Sequence, residues 1–234
     1  MLISHKYKII FVHVQKTAGD SLEKALRSVD PEAVDCISLK GRRCLQRQFI
    51  QLASRLGTEK FWYGRAPLCE GKHLFARDIR QHLDTEIWRD YFKFAWVRNP
   101  YDRLVSWYHM IRQFNQNYRL WNYVRAESSD FASFVKNCTD VIYESPFERK
   151  SFTFNQIEYL TDESGNLLVD FIGRFESLED DFKKMCERAG LPEITLGKFN
   201  SSKHDTYRQY YTDETRDIIS ARFKRDLEEF DYAF

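Results

Sequence analysis

Residues 9–22 read IIFVHVQKTAGDSL, and residues 94–108 read FAWVRNPYDRLVSWY. Each begins with an apolar run of the length and continuity expected of a strand buried on both faces of a parallel sheet. Each then passes through a short turn into a stretch with helical spacing. The first turn carries Lys16, Gly19 and Ser21; the second opens on Arg98, and its helix carries Ser106. A strand–turn–helix unit aims backbone N–H groups and the positive end of a helix at one point, which makes an anion site. Two such units in one chain suggest a ligand with phosphate-like groups at both ends.

Outward from these segments, the pattern alternates. Residues 21–29 have helical spacing through Leu22, Ala25, Leu26 and Val29 and stop at Asp30-Pro31. Residues 45–56 read as a helix closed by Gly57, 61–63 as a short strand, and 64–72 as a loop. A helix over 76–83, a strand over 91–97 and a helix over 100–114 follow. Residues 130–137 are helical in spacing, whereas 115–129 and 140–150 look polar, aromatic and irregular. That makes 115–150 a candidate acceptor-side insertion, because specificity tends to reside in loops on a fixed scaffold. A third strand is expected over 167–175, then a helix over 177–189 opened by a capping box at Ser177 and Asp180. The last helix, about 213–230, is capped by Thr212. Strands alternating with helices predict an α/β fold, a three-layer sandwich around a central parallel sheet.

The chain of 234 residues fits one domain spanning 1–234. Its 43% hydrophobic and 16% aromatic content excludes disorder. A net charge of +1, from 36 basic and 35 acidic residues, lacks the electrostatic footprint of a general nucleic-acid binder. Phosphate-binding cations must therefore be placed locally. The five cysteines (Cys36, Cys44, Cys69, Cys138, Cys186) form no C-x-x-C pair and suggest neither zinc nor a disulfide framework. The N-terminal apolar run is too short for a signal peptide or a membrane span. The expectation is a cytoplasmic enzyme with no membrane span, unless an anchor ahead of the catalytic domain was removed.

In the first turn, Gly19 lets the backbone come close, Ser21 can donate its hydroxyl, and Lys16 supplies a mobile charge. The order differs from a Walker A loop: the Lys precedes the Gly, and the first Gly is absent. Of the features a nucleotide kinase would need, only Thr17 fits as a Mg²⁺ ligand. In the second unit, the planar fork of Arg98 suits a phosphate, and Ser106, about two turns into the helix, can approach the same group. An ion pair of Arg98 with Asp102 is the plainer alternative.

QKTAGDSL resembles the 5′-phosphosulfate loop of the sulfotransferases, whose carbohydrate branch carries PKTAGTS or QKTGGTT here. VRNPYDRLVSWY resembles their 3′-phosphate motif, an Arg followed eight residues later by a Ser. The similarity extends through DFIGRFESLEDDF at 170–182 and FNSSKHDTYRQYYTDETRD at 199–217 to the closing DYAF. The chain thus resembles the family that contains the heparan sulfate 2-O- and 6-O-sulfotransferases and small bacterial relatives. The resemblance implies a P-loop-like α/β fold, 3′-phosphoadenosine-5′-phosphosulfate (PAPS) as donor, 3′-phosphoadenosine-5′-phosphate (PAP) as product, and a hydroxyl acceptor on a glycan. It carries Lys16, Thr17, Ala18, Gly19, Asp20, Ser21 and Leu22 onto the 5′ end of the donor, and Arg98 and Ser106 onto its 3′-phosphate. Ser201 and Lys203 fall in the family's C-terminal loop, which closes over the nucleotide. No metal is implied, since cationic side chains do the work of Mg²⁺ in kinases.

Asp20 departs from the family, which commonly has Thr there. A carboxylate aimed at a phosphosulfate would be repelled by several kcal/mol even at an effective dielectric of about 20. Asp20 is therefore expected to turn away, toward the helix end or a cation, leaving its N–H to the ligand. Sulfuryl transfer also needs a base for the acceptor hydroxyl. His73, in GKHLFARDIR, matches the family's placement of the catalytic His; Glu70 is the fallback and His13 reads as a packed strand residue. Lys16 suits neutralisation or protonation of the leaving oxygen. Arg174 and Glu176 read as a structural ion pair. Trp62, Tyr63, Trp107 and Tyr108 are core candidates that could include an adenine-stacking partner. A nucleotide kinase and a catalytically silent nucleotide-binding module remain the rival functions.

Overall fold

Along the first apolar run, Ile10 and Val12 join one hydrophobic cluster while Ile9 and Phe11 join another. This is the period-2 alternation of a strand buried on both faces. The computed structural model describes residues 1–34, 73–113, 119–139, 142–145, 148–151, 154–197 and 206–234. In it the run forms β2 (Ile9–Val12), preceded by a short strand β1 (Leu2–Ser4). The second apolar run forms β3 (Phe92–Val97), and Phe171–Arg174 forms β6. Their order is β1-β2-β3-β6, with β1 antiparallel to β2 and the other pairings parallel.

Helices cover both faces of the sheet. On one side, Leu22, Ala25 and Leu26 of α1 (Gly19–Val29) and Phe182, Met185 and Cys186 of α7 (Leu178–Ala189) pack on Phe11, Phe94 and Trp96. On the other, Ala76 and Ile79 of α2 (Ala76–His82) pack on Ile10, Val12, Ala95 and Val97. The α/β three-layer architecture read from the sequence is the one present, with a mostly parallel sheet at its centre. A further cluster lies among helices alone. It joins α4 (Pro100–Gln113), α5 (Arg119–Glu127), α6 (Phe131–Cys138) and α8 (Asp213–Arg222) around Trp107, Trp121, Phe134 and Ile219. Among the described residues, no helix is long and apolar enough to cross a membrane.

Several elements differ from the sequence expectation. Residues 119–127, expected to be irregular, form α5, because Trp121 and Val124 lie one helical step apart and find partners in the helical cluster. Residues 142–145 and 148–151 pair as a hairpin, β4 (Ile142–Ser145) with β5 (Glu148–Ser151). The short helix α3 (Thr85–Asp90) and strand β1 had no clear sequence signal. The third parallel strand is only Phe171–Arg174 rather than nine residues, since Leu167 bridges back to Thr161 before the chain reaches the sheet. Ser177 does not cap α7: its hydroxyl donates to Asp181 Oδ2 at 2.8 Å, which also accepts the Arg174 N–H. Thr212 does cap α8, accepting from the Thr215 N–H. The expected helix and strand at 45–56 and 61–63 lie outside the described residues.

The last helix breaks at Phe223 and resumes as α9 (Lys224–Glu229). The break places Asp226, fully buried, where its carboxylate accepts the N–H groups of Gln156 and Ile157 and the Gln156 side-chain amide, at 2.8, 3.0 and 3.1 Å. Burial pushes the Asp226 carboxyl up, while the charge of buried Arg103 and these N–H donors pull it down. Removing a buried carboxylate leaves its donors unsatisfied and its cation uncompensated. Asp226→Ala is therefore expected to destabilise the fold by about 3–5 kcal/mol in urea unfolding. A loss below about 1 kcal/mol would show that the network is not structural.

Candidate active site at the carboxyl ends of two central strands

In the β2–β3 register Val12, the last residue of β2, lies opposite Ala95, two residues before the end of β3, so the two parallel strands give out at the same end of the sheet. The loop after β2 turns through two left-handed residues, Lys16 at φ 66° and Ala18 at φ 67°. For a residue with a Cβ this conformation costs roughly 1–2 kcal/mol, and such conformations cluster at functional sites. Thr17, between them, is fully buried and donates its hydroxyl to the Val14 carbonyl at 2.9 Å. That bond closes the turn and turns the hydroxyl away from a role as metal ligand. Ala18 is the N-cap of α1, with no side-chain cap, and its carbonyl takes the N–H groups of Ser21 and Leu22. The N-terminal tip of α1 is thus presented through backbone, the arrangement that favours an anion. Leu22 itself is a core side chain.

Gly19 has an ordinary φ, so its lack of a side chain has another cause. A Cβ there would lie 1.8 Å from His13 Nε2. Asp20 is exposed, and its charge acts on Lys16 in the stabilising sense. It also stands beside His13 and Glu23, one ligand atom of each lying within 4.8 Å of the others. Among the described residues this trio is the one group able to offer a metal three side-chain ligands, and His13 Nδ1 is already 2.8 Å from Glu23 Oε1.

The second anchor sits at the end of β3. Arg98 is 5% exposed; its Nε donates to Asp102 Oδ2 at 2.7 Å and its Nη1 to the Lys16 carbonyl at 3.3 Å. Its guanidinium carbon stands 3.9 Å from the centroid of the Phe175 ring. The ion pair with Asp102 and the link to the loop coexist. Asp102, Ser106 and Met110 recur every four residues on α4, forming one stripe. Lys16 Nζ reaches the far end of that stripe, 3.2 Å from Met110 Sδ, and a thioether is only a weak acceptor. Lys16, Arg98 and the Ser106 face of α4 are thereby drawn together. Burial and then the Arg98 charge lower the Lys16 pKa to about 8, with Asp20 opposing. Two cations held close in a shielded place make a site that an anion would relieve.

Other residues brace these anchors without motif-level warning. Gln156 brackets Arg98, accepting from its N–H at 2.9 Å and donating to its carbonyl at 2.7 Å. Arg103, 2% exposed, donates to the carbonyls of Gln15 and Phe154 and so fixes the loop from behind. Asn99 donates its N–H to Glu176 and its side-chain amide to the Ala233 carbonyl. Arg174 and Glu176 do not pair with each other: Arg174 donates to the Phe230 carbonyl, and Glu176 accepts from Asn99 and Tyr232. Arg103 could have been found as the second Arg of RNPYDR; Gln156 gives no sequence signal at all.

His73 Nδ1 lies 3.1 Å from the His13 carbonyl, and the two rings meet edge-on with centroids 4.4 Å apart. A carbonyl only accepts, so Nδ1 carries the proton and Nε2 is the basic nitrogen of the neutral ring. His82 is tied to its own helix through Asp78, and His109 packs against Tyr108 and Tyr210. Trp107 and Tyr108 belong to the helical cluster. Glu70, Trp62, Tyr63, Ser201 and Lys203 lie outside the described residues.

The Gly19 contact yields a direct check. Gly19→Ala forces a methyl into the His13 ring and is expected to cost about 2–3 kcal/mol in urea unfolding, the range for overpacking. Ala18→Gly removes a left-handed strain and is expected to be neutral or stabilising by up to about 1 kcal/mol. A neutral Gly19→Ala would contradict the packing described.

Comparison with known proteins places the sequence in a family. A sequence model described as the Sulfotransferase family covers residues 1–233. An uncharacterized protein of Archaeoglobus fulgidus is 32% identical over 133 residues, which is 56% of this chain and 94% of that protein. Carbohydrate sulfotransferase 14 of Danio rerio is 28% identical over 145 residues, or 55% of this chain; the match spans 37% of the fish protein. The crystal structure of a sulfotransferase from Alicyclobacillus acidocaldarius aligns over 94% of this chain and 93% of that one, with TM-score 0.41 and 14% identity. The full-length match is decisive, and the chain belongs to the sulfotransferase family.

Proposed function

We propose that the chain transfers the sulfuryl group of PAPS to a hydroxyl of a carbohydrate acceptor by in-line displacement. The observation that carries this is the bond between the anchors: Arg98 Nη1 donates to the Lys16 carbonyl. Two anion sites joined at that range suit a nucleotide phosphorylated at both 3′ and 5′ positions. The loop from Lys16 to Ser21 receives the phosphosulfate, and Arg98 with Ser106 receives the 3′-phosphate. His73 Nε2 takes the proton of the acceptor hydroxyl as its oxygen attacks sulfur. The bond from sulfur to the bridging oxygen breaks, and Lys16 neutralises the charge left on PAP. Ser201 and Lys203 are assigned to the donor by the family resemblance of the 199–217 segment. A carbohydrate acceptor is supported by the variant of the loop, QKTAGDS, and by the match to a carbohydrate sulfotransferase.

Transfer of label from ³⁵S-PAPS to a panel of glycans and small alcohols tests the function. Labelled glycan is expected, and no transfer to any acceptor would overturn the proposal. With the best acceptor, His73→Ala is expected to lower kcat by about 10²–10⁴-fold with PAP affinity within a few-fold. Lys16→Ala should harm both.

The depressed Lys16 pKa gives a second expectation. Free Lys16 loses its proton above about pH 8, and a bound phosphate raises its pKa again. PAP binding should therefore take up protons at pH values above about 8, where the second ionisation of its own phosphates, at about pH 6, is already complete. Affinity should fall as pH rises through that window, because the unliganded loop has shed a proton that the complex requires. Calorimetry in buffers of different ionisation enthalpy measures the uptake directly. Equal enthalpies in all buffers at about pH 8.5 would remove Lys16 from the anion site.

A further inference from the structure

In the parallel pairing of β3 with β6, Val97 lies opposite Arg174, so the next residue of each chain segment, Arg98 and Phe175, leaves the sheet beside the other. Phe175 is the aromatic of the RFE segment, whose two charged residues bond elsewhere. It is half-buried, belongs to none of the three hydrophobic clusters formed by the described residues, and meets the Arg98 guanidinium 3.9 Å from its ring centroid. Asp102 stands in the first turn of α4, where the helix N-terminus favours a carboxylate. From there it takes the Arg98 Nε–H at 2.7 Å.

A guanidinium presents its donors, on Nε, Nη1 and Nη2, in one plane. Here Asp102 holds the Nε edge, the Lys16 carbonyl takes one Nη1 donor at 3.3 Å, and the Phe175 ring packs against the group. Among the described residues these are the partners of the Arg98 side chain, and none of them takes a hydrogen bond from Nη2. What is left uncommitted is the Nη end, the part that can grip a phosphate. A binding group works only if its own supports hold it in the productive geometry.

We propose that Asp102 and Phe175 are positioning residues that hold the Arg98 guanidinium with its Nη end turned to the 3′-phosphate, and so set the preference for a 3′-phosphorylated nucleotide. This rests on the assignment of Arg98 to the 3′-phosphate made above. The opposing account makes Asp102 a counter-ion that competes with the ligand for Arg98, and it predicts that removing Asp102 tightens binding.

The test is calorimetry with PAP and with 5′-AMP, which differ only in the 3′-phosphate. Asp102→Ala should weaken PAP by about 10- to 100-fold, the range for losing a group that orients a binding residue, and 5′-AMP by less than about threefold. Asp102→Asn, whose amide oxygen still accepts from Nε, should keep PAP within about threefold of wild type. Phe175→Leu keeps an apolar side chain but loses the π-face, and should lower the preference for PAP by about two- to fivefold; Phe175→Tyr should restore it. Should Asp102→Ala not fold, Asp102→Ser, too short to reach Nε, takes its place with the same expectation. Tighter PAP binding on removal of Asp102 would overturn its role, as would equal losses for the two nucleotides or an Asn variant as weak as Ala. An unchanged preference in Phe175→Leu would overturn the role of the ring. Wild-type protein that binds PAP no tighter than 5′-AMP would instead sink the 3′-phosphate assignment on which both roles rest.

Discussion

The parallel pairing of β2 with β3 decides where everything else in the site can be. With Val12 opposite Ala95, the loop that carries Lys16 and the turn that carries Arg98 emerge at the same end of the sheet, and Arg98 Nη1 reaches the Lys16 carbonyl. A slip of one residue would turn every side chain to the other face and separate them. The two clusters on either face of the sheet hold the register, because Phe11, Phe94 and Trp96 fit one helical layer and Val12, Ala95 and Val97 the other. Ligands in open parallel sheets bind beyond the carboxyl ends of the strands, and here two adjacent ends carry the cations Lys16 and Arg98.

The anchors are costly to assemble and are braced accordingly. Lys16 and Ala18 sit in left-handed conformations without being glycine. Lys16 and Arg98 are like charges, one with its pKa lowered to about 8. Behind them Arg103 holds the loop through the Gln15 carbonyl, and Gln156 holds Arg98 by both backbone groups. Asp226 in turn holds Gln156, so the C-terminal helix reaches the anchor through two buried side chains. Under the proposed function an anion bound there would offset the repulsion between the cations, which the bracing network holds in place. Strain concentrated in this way at a loop is what a pre-organised binding site looks like.

How far the sequence reached follows from which signals are local. The strand–turn–helix units were legible because apolar continuity, turn residues and helical spacing all lie within fifteen residues. The layer architecture followed from their alternation. Helix α5 was missed because its short apolar face, Trp121 and Val124, finds its partners on the flanking helices α4 and α6, which the segment's own polar and aromatic composition does not reveal. The break at Phe223 was missed because it serves a distant partner: it exists to bring Asp226 to Gln156, seventy residues away. Gly19 was noticed as a point of close backbone approach to a ligand, and only the fold shows that its lack of a side chain also makes room for the His13 ring. Arg174 and Glu176 looked like a pair because they are close in sequence, yet each serves the C-terminal segment instead.

The central claim is that two anchors form one site for a bisphosphorylated nucleotide, with Arg98 on the 3′-phosphate. Calorimetry of Arg98→Ala with PAP and with 5′-AMP separates this from a general loss of affinity. PAP should lose about 1.5–3 kcal/mol, the range for a charged hydrogen bond, and 5′-AMP far less. Equal losses for the two nucleotides would contradict the assignment of Arg98 to the 3′-phosphate and with it the two-anchor account.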